Sequence, residues 1–289
     1  MTKHKCTILY IVYALAAALV FLYCLFPEQA AIRRATGLFD RAYAPNRIHI
    51  TKLRPLLPDG IRLQGVRILG EGNQNLQLTR VDIFPRLIRL MGGKLSLDYS
   101  GSAYGGSFSG HIEFGNTDGD APRRMTLSMS KLQLRQLLKD RLADMPELGG
   151  TMDGEAVYHR SLKSAGLITG KLTLTGVTLV LPMLSGAASA LSFSSVSTAF
   201  SMNPHLVSLN NTEFKGPQLE GTMTGDLHIG RALPQSRLDL TLKVVLHREY
   251  SNLLAQTLPV TIRNDRGNPG AYKFKLFGTL ERPDISLLP

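Results

Sequence analysis

Ile61-Arg62-Leu63-Gln64-Gly65-Val66-Arg67-Ile68 alternates apolar and polar residues, breaks at a glycine, and resumes shifted by one place. Its apolar positions are 61 and 63, then 66 and 68. Side chains of a strand point to opposite faces in turn, so this alternation reads as a half-buried β-strand. A parity change across one residue reads as an extra residue, a β-bulge, and glycine accommodates the backbone it needs. The other reading is that Gly65 ends one strand and starts the next. The text returns 111 positions later as Leu172-Thr173-Leu174-Thr175-Gly176-Val177-Thr178-Leu179, with parity again flipping at the glycine. Gly65 and Gly176 are therefore the candidate bulge glycines of a repeated unit.

Three further phrases recur in the same order. Gly106-Ser107-Phe108-Ser109-Gly110-His111-Ile112-Glu113-Phe114 matches Gly221-Thr222-Met223-Thr224-Gly225-Asp226-Leu227-His228-Ile229. Leu76-x-Leu78-x-x-Val81 matches Leu191-x-Phe193-x-x-Val196, and Leu95-Ser96-Leu97-Asp98 matches Val207-Ser208-Leu209-Asn210. Self-similarity at a nearly fixed offset decides the fold before any local reading does. It predicts a mainly β chain built from a duplicated, curved antiparallel module, either an open groove or a barrel-like sheet, with two or three short helices. Leu63, Val66, Leu97, Phe108, Ile112, Leu174, Val177, Leu209, Met223 and Leu227 are the residues expected to line its groove or core.

The chain has 289 residues and a formal charge of +11. The excess of cations asks for an anionic neighbour. There is no basic helix and no RNA-binding signature, so nucleic acid is not expected as a partner. Thr7 to Phe26 carries no charge and is almost wholly apolar. At about 1.5 Å per residue it spans about 30 Å, a bilayer core, and Tyr10, Tyr13 and Tyr23 include rings near its ends. No small-residue cleavage site follows, which favours an uncleaved anchor over a signal peptide. Lys3 and Lys5 draw the short end inside, Arg33, Arg34 and Arg41 pull the other way, and Glu28 tips the balance to N-inside. Cys6 and Cys24 are the chain's two cysteines, about 27 Å apart along that helix, so they do not pair and the rest of the chain is cysteine-free.

Residues 1–26 thus read as cytoplasmic tip and anchor, and 27–56 as a juxtamembrane connector. The first β repeat follows at 57–125, a helix and linking strand at 126–165, and the second repeat with C-terminal strands at 166–289. Within the connector, Ala30 to Tyr43 reads as a short helix, either lying on the membrane with Arg33, Arg34 and Arg41 as surface contacts or simply solvated. Leu132–Leu142 and Arg248–Leu258 read as the other helices, each followed by a proline. Two short helices do not cover a long sheet, so its apolar faces pack on each other or line a groove that something else fills.

Catalytic patterns stop short. Gly105-x-Ser107-x-Ser109 lacks the last glycine of a nucleophile elbow, and Ser128-Met129-Ser130-Lys131 has no partner motifs. Gly166 to Lys171 is one residue short of a P-loop, and Asp118-Gly119-Asp120 lacks the rest of a calcium loop. The seven histidines show no ligand spacing. Neither an enzyme, a cofactor nor a metal site is expected.

The order of motifs has a counterpart. The anchor, the Arg54-to-Ile61 stretch, the Leu-x-Gly-Val phrase, Tyr104 to Gly110 and Phe277-Gly278-Thr279-Leu280-Glu281-Arg282-Pro283-Asp284-Ile285 resemble the long form of the type II secretion system protein N family. The closing Gly-Thr-Leu-x-x-Pro-x-apolar phrase also resembles AsmA-like proteins of the Gram-negative envelope. The resemblance implies a single-pass inner-membrane protein with its bulk in the periplasm, either a structural and assembly component touching other type II secretion subunits, or a module that binds or transports phospholipid or another acyl lipid.

Overall fold

In the computed structural model, the residues described are 25–42, 46–57, 59–70, 75–86, 95–115, 122–139, 148–160, 166–180, 190–230, 235–247 and 271–288, with Tyr10, Tyr13, Tyr23 and Ala44. Most of the 7–26 segment read as an anchor lies outside them, as does the helix expected over 248–258. Among the described residues, no helix is long and apolar enough to cross a membrane.

The described residues form a long helix and then strand after strand, with one short helix among them. Helix α1 spans Glu28–Ala42. The strands are β1 Arg47–Leu56, β2 Gly60–Leu69, β3 Asn75–Pro85, β4 Ser96–Ala103, β5 Gly106–Phe114 and β6 Pro122–Gln133. A five-residue helix α2, Leu134–Leu138, precedes β7 Leu148–His159, β8 Leu167–Val180, β9 Ala190–Asn203 and β10 Leu206–Lys215. The last four are β11 Leu219–His228, β12 Arg237–Leu246, β13 Ala271–Thr279 and β14 Pro283–Leu287. All fourteen make one sheet in which each strand pairs antiparallel with its sequence neighbours, and β1 and β14 form its two edges. The sheet is open. Among the described residues, the closest strand-to-strand contacts run between these neighbours.

The repeated phrases land six strands apart. The stretches beginning at Ile61 and Leu172 lie on β2 and β8, those at Leu76 and Leu191 on β3 and β9. Leu95 immediately precedes β4 and Val207 lies on β10, and the glycine phrases lie on β5 and β11. Strands β6 and β7, in the segment read as a linker, pair in line with both flanks, so the sheet runs through without a break.

Both parity-flip glycines have φ of 62°. At Gly176 the β7–β8 register shifts between Gly149 and Thr151, two residues facing one, which is a bulge. Gly65 differs. Ile50↔Val66 and Lys52↔Gln64 keep one register with β1, and Gln64↔Arg80 and Val66↔Leu78 keep one with β3. Thr51, Gly65 and Thr79 thus form a row of extra residues, one in each strand, and the flip occurs in three strands at one level: Ile50 to Leu53, Leu63 to Val66, Leu78 to Val81. Because the neighbours flip together, the apolar residues stay on one face. Ile50, Val66 and Val81 accordingly form one buried cluster with Leu63, Ile68, Leu78, Ile83 and Phe108 packed against it.

The connector reading of 27–56 needs correction, because Arg47–Leu56 is a full edge strand whose alternation is hidden by the flip at Thr51. Helix α1 closes that edge. Ile48 N–H donates to Asp40 Oδ1 and Leu53 N–H to Glu28 Oε1, both at 3.2 Å. From Glu28 to Asp40 is about 18 Å of helix, and from Leu53 back to Ile48 about 17 Å of strand, so α1 lies antiparallel along β1. Its carboxylates satisfy N–H groups that an edge would otherwise offer to another chain.

Candidate functional site: an apolar face that crosses every strand

Pairing carries the sequence alternation from strand to strand, so a residue's face is inherited by its partner. One row can be followed through all fourteen strands: Pro55, Ile61, Ile83, Tyr99, Gly110, Leu127, Ala156, Gly170, Phe200, Leu209, Gly225, Leu240, Leu276 and Ile285. Its neighbour on the same face also crosses every strand, from Leu53, Leu63 and Val81 through Phe108, Met129 and Leu172 to Met223, Leu242, Phe274 and Leu287. Apart from Tyr99, the threonines Thr198 and Thr212 are the polar side chains in these two rows, and their hydroxyls bond each other at 2.6 Å. Tyr99 Oη donates to the Thr126 carbonyl at 2.8 Å, and burial pushes its pKa up to about 12. Each hydroxyl is thus consumed within the protein.

A third row on this face runs through Leu97, Ile112, Met125, Tyr158, Ile168, Met202, Val207, Leu227 and Leu238. Beyond the flips come Leu132, Met152, Leu174, Val196, Phe214 and Val244. The ten residues expected to line a groove or core all lie here. Leu63, Phe108 and Met223 are in the second row, Leu209 in the first, and Leu97, Ile112 and Leu227 in the third. Leu174 stands two places beyond Leu172 in the next row, and Val66 and Val177 follow the flips at Gly65 and Gly176.

Most of these side chains are half-buried. A flat single sheet would leave such side chains open to water. Ile61 and Ile285, near the two ends, remain 42% and 69% exposed. The apolar face belongs to one open sheet whose end strands β1 and β14 do not pair with each other.

Glycines recur on this face opposite aromatic residues, and sequence reasoning missed why. Gly101 sits across from Phe108, Gly110 from Tyr99, Gly170 from Phe200 and Gly221 from Phe214. A Cβ on Gly101 would lie 2.5 Å from Phe108 Cζ, and one on Gly170 2.7 Å from Phe200 Cζ. The aromatic rings therefore lie down over the glycines on this face. Cross-strand pairing, which the sequence does not display, is what sets each ring over its glycine.

The opposite face is polar. Arg62, Asp82, Ser100, Ser109, Ser128, Glu155 and Lys171 form one of its rows. Arg62 Nε donates to Asp82 at 2.7 Å, and Arg80 donates to its other oxygen. The Arg62 bond, then that of Arg80, holds the Asp82 carboxyl below the usual carboxylate range despite burial. Asp98 is lowered likewise by Arg86 and then His111. A hollow of about 390 Å³ beside Asp82 is lined by Ser100, Ser102, Ser107, Ser109, Ser128 and Ser130. Its acid is already engaged by two arginines, and the serines of the near-miss motifs stand on this outer face of β5 and β6. Gly166–Lys171 runs into the extended strand β8, without the helix a P-loop needs. Asp118–Asp120 lies outside the described residues. Among the described residues no three His, Cys, Asp or Glu side chains are placed to share a metal ion. Arg33, Arg34 and Arg41 are exposed on α1.

Compared with known protein families, curated proteins and solved structures, the chain matches none of them.

Proposed function

We propose that this chain binds acyl lipid along the concave face of its sheet, as a membrane-anchored module of the Gram-negative envelope with its sheet in the periplasm. One observation carries the reading: two uninterrupted rows cross all fourteen strands with every hydroxyl already paired. At about 4.8 Å between strands the rows run for about 60 Å. One leaflet of a bilayer core is about 15 Å deep, so the trough has the length of several acyl chains end to end. Contiguous apolar surface on that scale needs an occupant, and hydrocarbon needs no polar partner from the floor.

A second reading, a structural component of the type II secretion apparatus, has its own support. Strand β14 ends the sheet with no described strand on its far side, whereas β1 is closed by α1. By the alternation of antiparallel bonding, Ile285 and Leu287 turn their N–H groups outward there, and an edge of that kind accepts a partner's strand. The two readings are compatible.

Native mass spectrometry of the full chain, extracted in mild detergent, tests the first. Lipid-sized adducts are expected, and they should weaken in Leu127→Asp and Leu276→Asp, which place a charge on the half-buried floor. A wild-type protein that carries no lipid counts against the reading.

A further inference from the structure

We infer that α1 is a docking surface for an anionic bilayer, and that it holds the β1 edge of the sheet against the membrane. The helix segregates its charges. Both of its acids, Glu28 and Asp40, turn to the sheet and accept N–H bonds from β1. Ile32 and Ala35 pack on the Ile50, Val66 and Val81 cluster. Ala30, Arg33, Arg34, Gly37 and Arg41 are exposed, at the spacing of a single helical stripe. None of the three arginines pairs with an acidic side chain of a described residue. The stripe is thus cationic, flanked by small residues, and turned away from the protein.

What covers it follows from the chain on its N-terminal side. The uncharged stretch Thr7–Phe26 leads into the helix with only Pro27 between, and Tyr23 and Leu25 are 48% and 72% exposed. Apolar residues beside a cationic helix face suit a lipid interface, with the rings and aliphatic groups in the acyl boundary and guanidiniums on headgroup phosphates. The adjoining edge strand adds exposed Arg47, Lys52 and Arg54. A soluble acidic partner would leave the exposed Tyr23 and Leu25 unexplained. The inference does not depend on lipid filling the trough.

Binding of the full chain to vesicles tests it. Neutral phosphatidylcholine vesicles report the apolar segment, and vesicles with added phosphatidylglycerol report the arginines. Each cation near an anionic surface strengthens binding about fivefold, so Arg33→Gln/Arg34→Gln/Arg41→Gln should lower the anionic preference by a factor on the order of a hundred. Binding to neutral vesicles should not change. The corresponding triple lysine variant should keep the preference, which separates charge from misfolding. Neutralising Lys215, Lys243 and Lys273, far along the sheet, should change it little. The inference is overturned if the wild type shows no anionic preference, if the glutamine triple keeps it, or if the distant lysine triple loses as much. Retention of native-mass lipid adducts by the glutamine triple would leave the trough reading standing either way.

Discussion

Gly101→Ala is the substitution that probes the trough floor most sharply. Gly101 lies on β4 between Val81 and Phe108, facing the trough. A Cβ there would sit 2.2 Å from the Arg80 carbonyl oxygen and 2.5 Å from Phe108 Cζ. The ring could turn aside. The carbonyl belongs to the neighbouring strand, so β3 and β4 must part by about 1 Å to restore ordinary contact. Parting costs one or two ladder hydrogen bonds at about 1 kcal/mol each, and the overpacked ring adds about 1–3 kcal/mol. The expected loss is about 2–4 kcal/mol. At a denaturant slope of about 2 kcal/mol per molar, the urea midpoint should fall by about 1–2 M. Gly37→Ala is the internal contrast, since an added Cβ on that exposed helical residue meets nothing within 4 Å. It should raise stability by about 0.5–1 kcal/mol. Adding Phe108→Ala to Gly101→Ala should rescue only part of the loss, because the carbonyl clash remains. A midpoint unchanged by Gly101→Ala, or fully restored by removing the ring, would refute the close-approach reasoning.

Further outcomes follow from the polar groups. Thr212 is 2% exposed, and its hydroxyl bonds that of Thr198. Either single change to valine should cost about 1–3 kcal/mol by orphaning the partner, while the double change should cost less than the sum, a coupling that a double-mutant cycle in urea reads directly. Asp82 and Asp98 have carboxyls lowered chiefly by Arg62 and Arg86 respectively. Each therefore contributes stability above the unfolded-state value of about 3.9 and loses it as pH falls through the lowered folded value. Urea midpoints should drop below about pH 4, less steeply in Asp82→Asn; an identical acid limb in that variant would exclude Asp82 as a contributor. Tyr99 reverses the sign. Its folded pKa is about 12 against an ordinary value of 10.0, so its contribution is complete below pH 10.0 and lost as pH rises towards 12, and Tyr99→Phe should remove that alkaline dependence.

Strand alternation, the repeat and the apolar face were legible because each lives in local order. Leu63, Phe108, Leu209 and Leu227 could be assigned to one surface from their own strands. The flip at Gly65 was legible too, but its form was not: whether it is a bulge or a shared row depends on Thr51 and Thr79 in neighbouring strands. The same flip concealed β1, whose Ile48, Ile50 and Leu53 do not alternate across Thr51. Of the glycines opposite Tyr99, Phe108 and Phe200, Gly110 was visible only within a repeated phrase, Gly170 only within an incomplete P-loop and Gly101 not at all, since cross-strand pairing is what gives them a reason. The edge-capping roles of Glu28 and Asp40 were invisible for a similar cause, because a carboxylate that accepts from a strand N–H leaves no periodic trace. The outer-face Arg62–Asp82–Arg80 set likewise needs the register before its members meet.

The central claim is that hydrocarbon occupies the concave face. Photo-crosslinking places it directly: the full chain in membranes is labelled with a phospholipid carrying a photoreactive group in its acyl chain, and adducts are mapped by peptide mass. Adducts should fall on trough residues of several strands, among them Leu127, Phe200, Leu209 and Leu276, and be lost when Leu127→Asp and Leu276→Asp are combined. Adducts confined to residues 7–26, or found equally on the outer face at Ser109, Ser128 and Lys171, would contradict the account.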